Sequence, residues 1–264
     1  MQTLRKAWAF FKRDLLIDLS YKLSFAVQAV HVLLMIASYY FLSRFVGDKT
    51  PGGYAAFPFI AVGIAANGYM TTCLACFAQA IRGGQTSGTL KAALATPTSP
   101  AAFVALSSVY PCARGAVDAA LYILGASLFG LPLGRVNFLT VLIVFVLSTL
   151  AFCSIGILSA TFTLLLKRGD PVVWVFVSLS WLLGGVFYPI DSLPPALQQV
   201  ATLLPITHVL NAMRAAVLGG AAPAAVSRSI YALAAFGLIG IPVSLAAFHL
   251  GVRRAKRTGT LGHF

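Results

Sequence analysis

The chain is divided into six apolar stretches, at 23–45, 57–81, 101–130, 138–166, 171–188 and 229–250. Most of them reach the roughly 20 residues that a helix needs to cross about 30 Å of hydrocarbon. A chain patterned this way cannot hide so much apolar surface inside one water-soluble core. Of the 264 residues 59% are hydrophobic and only 9% are charged, and the mean hydropathy is +0.89. The bilayer must therefore be the main solvent, and the expected fold is an all-α membrane protein of six transmembrane helices in a single domain spanning residues 1–264.

The charges are lopsided: 19 Lys and Arg stand against 6 acidic residues, for a net charge of +13. Such a balance suits either nucleic acid or an anionic membrane face, and position decides between them. The basic residues cluster just outside the apolar stretches, with no basic, aromatic-studded soluble domain among them, which argues against nucleic acid. With six spans both ends lie on one side. That side collects 13 Lys and Arg and the opposite side 5, with Arg114 inside a span. The positive-inside rule then makes both termini, including the basic tail at 251–264, cytoplasmic.

Residues 1–22 place Leu4, Trp8, Phe11, Leu15 and Leu19 at helical spacing, with Arg5, Lys6, Lys12, Arg13 and Asp14 around the other face. This pattern predicts an amphipathic helix lying in the membrane interface. The first apolar stretch begins near Leu23, is too long for the core of a cleaved signal and lacks a small-residue cleavage site, so it is expected to stay in the protein. Between the fifth and sixth stretches, residues 189–228 hold two apolar runs, 196–204 and 209–218, each too short to span. They predict re-entrant or surface-lying helices on the external side, the first broken by Pro205 and the second ended by Gly219 and Gly220.

Few residues offer chemistry. Gly83, Gly88 and Thr89 approach a phosphate-binding loop, but Thr89 stands where the essential lysine would be, and an apolar stretch precedes them instead of a β-strand. Nucleotide binding by this chain is therefore not expected, and any dependence on ATP must come from another polypeptide. Cys73, Cys76, Cys112 and Cys153 all lie in apolar stretches, so the CxxC at 73–76 is taken for two small residues one turn apart on a membrane helix. The six Asp are scattered, leaving no acid and base pair. No catalytic residue and no metal site are expected. Arg114 and Asp118, four residues apart in the third span, predict an intrahelical ion pair, either locking that helix or touching a polar substrate group. Gln28, His31 and Asn67 are polar residues within spans, expected to face protein and not lipid, with His31 making an interhelical hydrogen bond.

Three stretches, taken in order, resemble the membrane subunit of an ATP-binding-cassette exporter of the second membrane-domain type. Residues 87–99, SGTLKAALATPTS, are similar to that family's cytoplasmic coupling element after the second span. Residues 167–171, KRGDP, are similar to the short loop before the fifth span. Residues 184–195, GGVFYPIDSLPP, with 204–209, LPITHV, are similar to the signature around the external helices, which here includes Phe187, Tyr188, Pro189, Leu193 and Pro194. One departure is Gly84, Gln85 and Thr86, where many relatives carry acidic residues. The resemblance implies an exporter of drugs, glycolipids or polysaccharides in the bacterial inner membrane, a permease homodimer with membrane lipid around it, and ATP and Mg bound on a separate ATPase subunit. It also implies that Gly88, Thr89, Leu90, Lys91, Thr96 and Pro97, in the connection at 82–100, couple to that ATPase. The competing expectation is an ion-coupled secondary transporter or channel in which Arg114 and Asp118 form a relay.

Overall fold

A computed structural model describes residues 8, 11–12, 14–16, 18, 22–47, 53–86, 100–166 and 170–257. The residues expected to couple to an ATPase, Gly88, Thr89, Leu90, Lys91, Thr96 and Pro97, lie outside that set, as do Lys167, Arg168 and the end of the tail. Among the described residues every regular element is helical: α1 (Lys22–Val46), α2 (Ala56–Thr86), α3 (Pro100–Ser127), α4 (Phe138–Leu166), α5 (Pro171–Leu183), α6 (Pro195–Thr202), α7 (Pro205–Leu218) and α8 (Ser227–Arg257), with 3₁₀ turns at Ile190–Ser192 and Pro223–Val226. Trp8, Phe11, Lys12, Asp14, Leu15, Leu16 and Asp18 are also helical.

A helix occupies each of the six predicted spans, but they are not equivalent. Three are both long and apolar enough to cross a membrane: Ala56–Gly84, Phe138–Leu165 and Pro223–Ala255. Helices α1 and α3 are 25 and 28 residues long. The fifth span is shorter than expected. Helix α5 has 13 residues, a rise of about 20 Å. It opens on Asp170, whose Oδ1 accepts from Val173 N at 3.1 Å while Oδ2 accepts from Ser159 Oγ at 2.6 Å. It stops at Gly184, and Gly185 follows at φ +78°, a left-handed conformation that favours glycine.

The segment at 189–228 enters the bundle. Helices α6 and α7 are bent by 88° at a short break. Pro205 does not break the first helix but opens the second, as its first residue, where a missing N–H costs nothing. Helix α7 ends at Gly219, as the sequence suggests. It is largely buried and packs on α2, α4 and α8, while α6 is mostly exposed.

The core forms around α2 and α4, with α8 making the most extensive helix contact, against α4. Small residues allow the approach. A Cβ at Gly156 would lie 2.5 Å from Phe77 Cδ2 and 2.8 Å from the Cys73 carbonyl. In lipid, where apolar side chains gain nothing by leaving solvent, close van der Waals packing of this kind is the main attraction between helices.

Candidate functional site

Three polar features interrupt this apolar bundle. The first is centred on Arg114, midway along α3. The Arg114 guanidinium, on α3, donates from Nη1 to Asp18 Oδ2, from Nη2 to Gln28 Oε1 and from Nε to Asp118 Oδ1 at 3.2 Å. Tyr110 donates its hydroxyl to the same Asp18 oxygen at 2.5 Å. The expected i,i+4 pair is present, but it is part of a clasp that joins the N-terminal segment, α1 and α3. Phe11 meets Tyr110 edge to face, with centroids 5.4 Å apart, so apolar contact supports the same junction. Asp18 was missed at the sequence level; its signal was a carboxylate four residues beyond Asp14, where an interfacial helix should bury its face.

The second feature is a stripe on α2. Exposed or partly exposed residues recur at Gly68, Thr71, Thr72, Ala75, Gln79 and Arg82, spacings of three and four that keep them on one side of the helix. A Cβ at Gly68 would meet nothing within 4 Å. The two threonines bond back to their own helix, Thr71 Oγ1 to Asn67 O at 2.9 Å and Thr72 Oγ1 to Gly68 O at 3.2 Å. Toward its other end α2 is covered instead: Phe57 and Ala61 pack with Ile36 of α1 and Tyr122 of α3. Polar side chains such as Gln79 and Arg82 are costly against lipid, and small residues such as Gly68 and Ala75 let another surface approach closely. None of Gln79, Thr72 or Gly68 had been singled out from the sequence.

Of the polar residues expected to face protein, Gln28 does so by reaching Arg114. Asn67, one turn before Thr71 at the edge of the stripe, is buried at 1% exposure, and its Oδ1 has no hydrogen-bond partner among the described residues. His31 differs from expectation: it is exposed on α1, between Val30 and Leu34, which are exposed too, and is not enclosed between helices.

The third feature is Arg214 on α7. It was counted among the external charges, yet it is 5% exposed. Nη1 donates to Gly185 O at 2.8 Å, Nη2 to Val186 O at 2.9 Å and Nε to Phe59 O at 3.2 Å, and the guanidinium carbon sits 3.4 Å over the Phe59 ring. The turn that ends α5 is thereby tied to α2 and α7. Gly63 leaves the room, since a Cβ there would be 2.4 Å from Val186 O and 2.8 Å from Arg214 Nη2. The nearby signature residues are structural in the same sense. Phe187 stacks on Trp181 at 5.1 Å and approaches Tyr39 of α1 at 6.0 Å. Tyr188 donates to Leu182 O, and Gln198 Nε2 donates to Leu193 O at 2.8 Å. Pro189 caps the 3₁₀ turn and Pro194 caps α6.

Compared with known families, residues 5–218 match the model described as ABC-2 type transporter. No curated protein matches the chain.

Proposed function

The chain belongs to the ABC-2 type transporter family, as a permease subunit of a multi-pass membrane transport system, and from that premise we propose that it works with an ABC ATPase and forms the export pathway for an amphiphilic, lipid-linked or drug-like cargo. In this reading two copies of the permease stand over an ATPase pair in a bacterial inner membrane, with both termini cytoplasmic. ATP and Mg are bound on the ATPase, which supplies the free energy of hydrolysis. This chain contributes no catalytic group and acts by moving its helices.

The observation that carries the reading is the continuity of α2. The same helix bears the partly exposed stripe from Gly68 to Arg82 and, directly beyond Thr86, the connection that resembles a coupling element. A displacement delivered to 82–100 therefore reaches a surface suited to cargo without an intervening hinge. The Arg114 clasp gives the N-terminal segment a role in the same movement, because Asp18 and Tyr110 make it follow α3, the helix on the far side of the connection. At the opposite end Arg214 holds α7 and the 184–186 turn against α2, a fixed point about which α2 can tilt. His31, a polar side chain exposed on a membrane helix, fits a position facing cargo or the second copy better than one facing lipid.

Reconstitution with an ABC ATPase provides the test. The complex is expected to hydrolyse ATP faster in the presence of cargo and to lose that stimulation in Gly88→Pro, while the variant inserts normally. Transport by the permease alone, driven by an ion gradient and abolished by Asp118→Asn, would overturn the reading in favour of a secondary transporter.

A further inference from the structure

All four cysteines of the chain, from α2, α3 and α4, meet at one place. Cys73 and Cys76 stand one turn apart on α2, and Cys76 Sγ donates to Cys73 O at 3.3 Å. Cys112 of α3 brings its sulfur to 3.9 Å from Cys76 Sγ, and it also interacts with Cys73 and with Cys153 of α4. The helices are held close at this level: a Cβ at Gly115, one turn along α3, would lie 2.9 Å from Thr72 Cγ2, one turn back along α2. All four thiols are free. Among the described residues no group of three or more His, Cys, Asp or Glu is placed to hold a metal ion, so the geometry selects a pair.

We propose that Cys76 and Cys112 are a modification site, an oxidisable thiol pair that closes to a reversible disulfide between α2 and α3 and thereby arrests the permease. Closure requires the sulfurs to approach from 3.9 Å to about 2.0 Å, a change that χ1 rotation on two tightly packed helices can supply. Buried thiols are shielded from aqueous oxidants. However, Cys112 and Cys153 are only partly buried, and a hollow of about 310 Å³ beside Tyr69, Phe145 and Thr149 reaches Cys112. Its lining is apolar, so the oxidant it suits is one dissolved in the membrane, a lipid hydroperoxide. The reaction balances without another reagent. Two thiols lose two protons and two electrons, one S–S bond forms, the peroxide O–O bond breaks, and the peroxide leaves as an alcohol and water. Residues 77–111 enclose the whole 82–100 connection, so the bond ties together the two helices that diverge from it.

The arrest rests on the proposed permease function; the crosslink does not. The permease–ATPase complex in liposomes is treated with cumene hydroperoxide, denatured, alkylated with a maleimide and digested for mass spectrometry. The wild type is expected to lose two alkylatable thiols per chain, to yield a linked pair of peptides containing Cys76 and Cys112, and to recover both thiols with a phosphine reductant. Cys153→Ala should behave the same way, whereas Cys112→Ala should keep its remaining thiols. ATP-driven transport should fall with the crosslinked fraction and return on reduction. Retention of all thiols, or their separate conversion to sulfinic acids, would overturn the site. Full transport by crosslinked protein would overturn the arrest. Loss of transport that persists in Cys112→Ala would overturn it too. A permease that proves not to use ATP would leave the mass result unchanged, so the two failures are distinguishable.

Discussion

Arg114 and Arg214 are both arginines within an apolar bundle, and they are held in opposite ways. Arg114 is bound by side chains, two of them carboxylates, drawn from three separate segments, and its own side chain is 21% exposed. Arg214 is bound by three main-chain carbonyls and an aromatic face at 5% exposure. Side-chain partners can rotate away and be replaced by water, so the first arrangement can open while each segment keeps its fold. Carbonyls move only if the backbone moves, so the second cannot open without taking the 184–186 turn apart. The difference separates a joint that can work during a transport cycle from a fixture that holds the opposite end of α2.

That comparison is best attacked at its rigid end. Arg214→Leu should be the most damaging change, costing about 3 kcal/mol or more because three buried carbonyls lose charged donors. The expected result is a greatly lowered melting temperature in detergent, or failure to accumulate folded protein. Arg214→Lys should not rescue it, since an ammonium cannot present the same planar fork to three acceptors. If Arg214→Leu melts like the wild type, the fixture is not a fixture. Gly63→Val comes next. With Val186 O 2.4 Å from the new Cβ, the turn must shift, at about 1–3 kcal/mol, and the same melting experiment reads it. Asp170→Ala should remove an N-cap and the Ser159 bond from α5 for about 1 kcal/mol. Asp18→Asn at the mobile joint should cost less, about 1 kcal/mol at most, because its side chain is 39% exposed and water screens the pair. Its effect should appear in ATP-driven transport, which falls while the melting temperature barely changes. Gln79→Leu, on the partly exposed stripe, should leave stability unaltered and change only the apparent affinity for cargo. A matching loss of stability in either of the last two would erase the contrast between joint and fixture.

Much of the architecture is legible in the sequence. Apolar stretches of sufficient length located six helices, and Gly219 marked the end of α7. The i,i+4 spacing placed Arg114 beside Asp118. These features depend on neighbours within a few residues or on the thickness of hydrocarbon. The truncation of α5 was not legible, because Leu182, Leu183, Val186 and Phe187 read as continuing apolar helix. What stops it is the pair Gly184 and Gly185, the second at φ +78°, with Arg214, 29 and 28 residues later, holding the carbonyls of Gly185 and Val186. Nor could Arg214 be distinguished from an exposed external charge, since a short apolar run with one arginine looks the same whether it lies on a membrane or enters a bundle.

The sequence by itself determined the solvent, the helical class, the approximate helix positions and, through its motifs, the family expectation. All of these follow from local composition acting against a bilayer that forbids unpaired backbone. Only the tertiary structure decided which polar groups meet. Asp18 and Arg114 are 96 residues apart, Phe59 and Arg214 are 155 apart, and Cys76 and Cys112 are 36 apart. Side chains so distant meet according to which helix faces pack and how closely small residues let them approach, and no local pattern in the chain encodes that geometry.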